Sequence, residues 1–126
     1  MKDFKRYYTI PAPPSEVYAA LTHEGTIQLW SGDKVEMDAT IGGEFSLWNG
    51  SIVGKNLELE ASKKIVQQWY FDNDDVQSIV TMKLHNDKGE TSLELRHTNI
   101  PDEDFENIVD GWNTQYIAAL IEFYEE

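Results

Sequence analysis

PDEDFENIVDGWNTQYIAALIEFYEE (residues 101–126) decides the fold, because its apolar residues fall at helical spacing: Phe105, Ile108, Val109, Trp112, Tyr116, Ala119, Leu120 and Phe123. The spacing predicts one long amphipathic helix. Pro101 suits its first turn, and Asp102, Glu103, Asp104 and Glu106 complement the positive end of the helix dipole. Gly111 in the interior costs about 1 kcal/mol relative to Ala, which predicts a close approach to another backbone or a gentle bend.

Everything upstream looks like material for a sheet that this helix covers. Phe4 to Ile10 reads as a first strand, ended by Pro11-Ala12-Pro13-Pro14. Ser15 is the expected cap of a short helix reaching Leu21, and Thr22 to Trp30 reads as a second short helix or turn interrupted at Gly25. Strands are then predicted over Lys34–Thr40, Gly43–Trp48, Ser51–Glu60, Lys64–Phe71, Val76–Asn86 and Glu90–Asn99. Turn formers separate them, among them Gly42-Gly43, Asn49-Gly50 and Asp87-Lys88-Gly89, and the short spacings imply an antiparallel meander. Asp72-Asn73-Asp74-Asp75 opens like a calcium loop. Gln77 and Lys83, however, stand where that loop needs a glycine and a closing glutamate, so a hairpin turn is expected instead. The class is therefore α+β, one domain over residues 1–126, with the long helix lying across the concave side of a curved antiparallel sheet.

Alternation then names the lining of that concave side. Ile65, Gln67, Trp69 and Phe71 share one face of their strand, Ser78, Val80, Met82 and Leu84 of the next, and Leu93, Leu95 and His97 of the last. If these faces point inward, Phe45, Trp69, Val80, Leu95 and His97 surround Trp112 and Tyr116. Large aromatic side chains mixed with isolated polar groups are the ingredients of a small-molecule pocket, and equally of a filled core whose polar groups satisfy one another.

Composition limits the partners. Ten Lys and Arg against 23 Asp and Glu leave a net charge of −13, a field that repels phosphate backbones and anionic lipid, so neither nucleic acid nor a membrane surface is expected. Cysteine is absent, which removes disulfides, thiol nucleophiles and cysteine-ligated metals. The basic start Lys2 to Arg6 lacks an apolar run behind it, and no stretch approaches the roughly 20 apolar residues of a spanning helix. A soluble cytoplasmic protein is expected.

Pro14 with Val17 to Thr22, Trp30, Gly42-Gly43-Glu44-Phe45, Gly54, Ile65-Val66 with Trp69, Lys88-Gly89-Glu90-Thr91, Ile100-Pro101 and Gly111-Trp112 form an ordered set. In that order they resemble the activator of heat-shock-protein-90 ATPase homologue family, within the START-like (Bet v-like, SRPBCC) superfamily, and are most similar to the C-terminal domain of the eukaryotic co-chaperone. The resemblance spans nearly the whole chain. It implies a helix-grip fold: about seven antiparallel strands, two short helices after the first strand, and a long C-terminal helix over a cavity. It implies no agreed catalytic residues, and fold carries function only weakly.

Three functional readings follow. The preferred one is a binding module holding a small apolar or amphipathic molecule, with Trp30, Phe45, Trp69, Leu95, His97, Trp112 and Tyr116 lining the site and His97 and Tyr116 orienting the ligand through hydrogen bonds. A second sets an acidic face against a chaperone or another protein. A third is a small enzyme using His97 as general acid or base, although a lone inward histidine more often hydrogen-bonds within a core. Among the three histidines, His23 and His85 are expected at the surface. No nucleophile elbow, zinc-binding helix or phosphate loop is present in the sequence, and neither a metal nor a cofactor is expected.

Overall fold

The computed structural model describes residues 1–72 and 76–125. Seven strands make one sheet in the order β1-β7-β6-β5-β4-β3-β2: β1 (Lys2–Ile10), β2 (Glu36–Met37), β3 (Glu44–Leu47), β4 (Ile52–Glu60), β5 (Lys64–Trp69), β6 (Ser78–Asp87) and β7 (Glu90–Ile100). Every neighbouring pair is antiparallel, and the first strand closes against the last. Two short helices, α1 (Pro14–Thr22) and α2 (Glu24–Ser31), follow β1. The closing helix runs through a 3-10 turn (Asp102–Asp104), α3 (Phe105–Gly111), a π-turn (Trp112–Tyr116) and α4 (Ile117–Tyr124). This is the expected helix-grip arrangement.

The inner faces follow the predicted alternation. Ile65, Gln67 and Trp69, then Ser78, Val80, Met82 and Leu84, then Leu93, Leu95 and His97 are all buried. They meet Trp112, Tyr116, Ile117 and Leu120 from the helix, with Ile27 and Trp30 from α2. The Trp30 indole N–H donates to the Ala20 carbonyl at 2.7 Å, which pins α2 on α1. The closing helix is tied at both flanks: Tyr8 donates to Asn113 Oδ1 at 2.6 Å, and Tyr124 donates to the Glu16 carbonyl at 3.1 Å.

Several local expectations are corrected. Ser15 does not cap α1; Pro13 is the capping residue and Pro14 takes the first helical position, where the missing N–H costs nothing. Gly25 does not interrupt α2, which starts cleanly because His23 Nδ1 accepts the Thr26 N–H at 3.3 Å. The expected strand Lys34–Thr40 shrinks to Glu36–Met37, since Thr40 turns back on Asp38 (Oγ1 to Oδ1, 2.8 Å) and Gly43 N–H reaches the Thr40 carbonyl. A short edge strand leaves few unpaired backbone groups for another chain to join. Residues 73–75 of the expected acidic turn lie outside the described residues.

Two family glycines owe their place to close approach. A Cβ on Gly43 would lie 2.3 Å from the Asp38 carbonyl oxygen, and one on Gly54 would lie 2.0 Å from the Gln68 carbonyl oxygen and 2.9 Å from the Phe45 ring. Gly111 is different: nothing lies within 4 Å of a Cβ built there, so the expected backbone approach is absent. The helix deviates one residue later. Ile117 N–H bonds the Trp112 carbonyl, an i to i+5 step, and Trp112 and Tyr116, four residues apart, share a face with ring centroids 4.5 Å apart. Because Gly111 has helical backbone angles and open space, Gly111→Ala should stabilise the protein by up to about 1 kcal/mol in urea denaturation.

Candidate functional site

The π-turn stands over the largest aromatic cluster of the molecule. Trp69 and Trp112 stack with centroids 4.8 Å apart and planes inclined by 24°, and Tyr116 packs against Trp112, Trp30 and Trp48. Beside this cluster a cleft of about 340 Å³ opens between α3, the π-turn and the β3–β4 turn. Its walls are Trp48, Ile52, Trp69, Ile108, Trp112 and Tyr116, and Asp33, Asn107 and Gln115 stand at its exposed edge. The volume is within the range of small-ligand sites.

Of the seven residues predicted to line a site, the structure brings Trp69, Trp112 and Tyr116 to the cleft. Trp30 backs Tyr116 from behind at 5.2 Å. Phe45, Leu95 and His97 are packed in the core and do not border the cleft. Sequence reasoning missed Trp48, which wedges between Trp30 and the cleft. It sits in left-handed backbone (φ 48°), a strained state for a bulky residue, and Asn49 (φ 54°) and Gly50 (φ 93°) continue the turn. Asn49 N–H to the Lys34 carbonyl and Ser51 N–H to the Trp48 carbonyl, each 3.2 Å, hold it there. The signal available in the sequence was a tryptophan placed directly before Asn-Gly.

Two buried chains of hydrogen bonds fix the stacked indoles. Trp112 Nε1–H donates to His97 Nδ1 at 3.0 Å; an indole can only donate, so the histidine proton sits on Nε2, which donates to Ser78 Oγ at 2.8 Å. Ser78 in turn donates to the Thr98 carbonyl. Likewise Trp69 Nε1–H donates to Gln67 Oε1 at 3.0 Å, Gln67 Nε2 to Asn56 Oδ1 at 3.1 Å, and Asn56 Nδ2 to the Asp38 carbonyl at 2.9 Å. Both ring nitrogens of His97 are thus engaged inside the protein. Tyr116 is also buried, at 3% exposure. Burial raises its pKa well above the ordinary phenol value, so its hydroxyl stays neutral and can both donate and accept.

Burial also lowers the His97 pKa to about 3. The folded protein therefore resists a proton that the unfolded chain accepts near pH 6.5, and this stability is fully present above that pH and lost as pH falls toward 3. From pH 7 to pH 5 the wild type should lose about 2 kcal/mol more than His97→Gln, by single-site linkage. Urea denaturation of both proteins at the two pH values tests this, and parallel losses would contradict it. His23 and His85, both exposed, cancel in the comparison.

Residues 11–125 match the family described as activator of Hsp90 ATPase homolog 1-like protein. The chain belongs to this family. It is 34% identical over 110 residues to the activator of 90 kDa heat shock protein ATPase homolog of Dictyostelium discoideum, covering 85% of this chain and 29% of that protein. Against homolog 1 of Homo sapiens it is 25% identical over 114 residues, covering 89% and 34%. The chain thus spans about a third or less of the curated relatives it matches. A crystal structure described as an HSP90 activator from Plasmodium falciparum superposes with a TM-score of 0.86 at 30% identity, covering 94% of this chain and 92% of that one. The Aha1 dimer of Colwellia psychrerythraea shares the fold at 20% identity, with a TM-score of 0.79 and coverage of 99% and 95%. As a member of this Aha1-like family the chain has Hsp90 activators among its relatives. No described helix is long and apolar enough to cross a membrane.

Proposed function

We propose that this Aha1-like domain is a binding module whose cleft holds a small apolar or amphipathic molecule. The observation that carries this reading is a cleft walled by Trp48, Trp69, Trp112 and Tyr116, in which internal hydrogen bonds fix the indoles of Trp69 and Trp112. A rigid aromatic wall supplies burial, and the neutral Tyr116 hydroxyl orients the guest. His97 serves this site as a positioning residue that holds Trp112. A cytoplasmic location is part of the proposal, supported by the lack of cysteine.

Gly111 provides a test that spares the fold. Gly111→Leu places a side chain beside the cleft without meeting any atom within 4 Å of its Cβ. Native mass spectrometry of protein purified from its own host, with a thermal-shift screen of acyl, sterol and aromatic compounds, should find a bound or stabilising molecule on the wild type. Gly111→Leu should lose it while melting at or above the wild-type temperature. A wild type that arrives empty and answers no compound would remove the ligand reading.

A second reading, a chaperone-related protein partner, is favoured by kinship with proteins described as Hsp90 activators. Adding the chain to the Hsp90 of its own organism would then raise ATP hydrolysis. The association should weaken steeply with salt if the acidic surface makes the contact. Unchanged hydrolysis together with no detectable association would count against this reading.

A further inference from the structure

We infer that the cleft selects cationic amphiphiles, molecules with an aromatic or alkyl body and an ammonium group, and discriminates against carboxylates of the same shape. This rests on the reading of the cleft as a small-molecule site. The charges around it carry the inference. Ile52, Trp69 and Ile108 are shared with an adjoining depression of about 250 Å³, so the two form one groove. Asp33 lies at one end of that groove, and Asp72 and Asp104 lie at the other. Among the described residues no lysine, arginine or histidine borders either part, and the Met1 ammonium, which borders the next depression past Asp72 and Asp104, is paired with Asp102 at 2.9 Å. Lys34, next to Asp33 in the chain, borders a separate depression beyond the Trp48–Ser51 turn. Among the described residues none of the three carboxylates is in an ion pair.

A carboxylate guest would therefore meet three repelling carboxylates and no bordering cationic side chain, within a protein of net charge −13. An ammonium meets the opposite situation. It finds carboxylates at either end and the half-exposed indole of Trp48 at the wall, a ring type that attracts cations. Tyr116 is neutral and its hydroxyl can accept from the ammonium or bond a polar atom in the body of the guest.

NMR titration following the indole N–H signals, with phenylbutylamine, phenylbutanol and phenylbutyrate as probes, separates the possibilities. Phenylbutylamine should bind about tenfold more tightly than phenylbutyrate, with phenylbutanol between, from one or two exposed charge pairs and one cation–π contact. The Asp33→Asn/Asp104→Asn double variant should reduce that ratio to about twofold, the residue of overall charge attraction. Asp87→Asn/Glu90→Gln, with the same net charge but both changes at the distant β6–β7 turn, should keep it. Equal affinity of amine and carboxylate, or an equal drop in both double variants, overturns the selectivity and leaves the cleft a binding site. Silence from all three probes at the Trp48 signal overturns the selectivity and the underlying reading together.

Discussion

Trp112→Ala will destabilise the protein by about 3 to 5 kcal/mol, the range for a large aromatic removed from a packed interior. Trp112 is 1% exposed, and removing it opens a void against Trp69 and Tyr116. It also leaves His97 Nδ1 without its donor, a buried acceptor whose orphaning costs about 1 to 3 kcal/mol. Trp112→Phe removes the N–H and part of the indole but fills much of the void, so it divides the packing loss from the loss of the donor only in part. Urea denaturation should place it between wild type and Trp112→Ala. A loss below about 1 kcal/mol for the alanine variant, the scale of ordinary surface changes, would mean that the helix does not grip the sheet as described.

Gly54→Ala is the other large effect, and it comes from adding one carbon. Gly54 lies between Phe45 on β3 and Trp69 on β5. The new methyl would fall 2.0 Å from a backbone oxygen of β5, so strands must part rather than a side chain swing aside. Overpacking of a tight interior costs typically 1 to 3 kcal/mol, and a backbone obstacle puts this variant at about 3 kcal/mol or beyond. Gly111→Ala, with open space around it, should change stability in the opposite direction. Measuring the two variants side by side tests whether the glycines of this family have one reason or several; equal effects would contradict the geometry.

Much of this architecture could be read before any coordinates existed. Period-two alternation identified the buried faces of β5, β6 and β7 because those strands are flanked on one side by core and on the other by water. Helical spacing identified the closing helix for the same reason. What escaped was what local pattern does not encode. The π-turn departs from regular spacing by a single residue, and Trp112 and Tyr116 would be buried in either helical form. The cleft escaped because alternation says which side chains face inward, not which of them touch one another and which leave space. Thus His97 and Leu95, correctly inward, are sealed into the core, while Trp48, in a turn where alternation stops, reaches the wall. The glycine at 111, read as a close backbone approach or a gentle bend, makes no close approach and borders open volume.

The stacking of Trp69 on Trp112 gives the domain an optical identity of its own. Two indoles at 4.8 Å, each with its N–H held by an internal acceptor, form a coupled chromophore shielded from water, whose circular dichroism will disappear as soon as the helix lifts from the sheet. Trp48, half-exposed at the cleft, will emit to the red of that pair and answer to whatever enters beside it. Loss of the grip and changes at the cleft can therefore be watched in one unlabelled sample, by light alone.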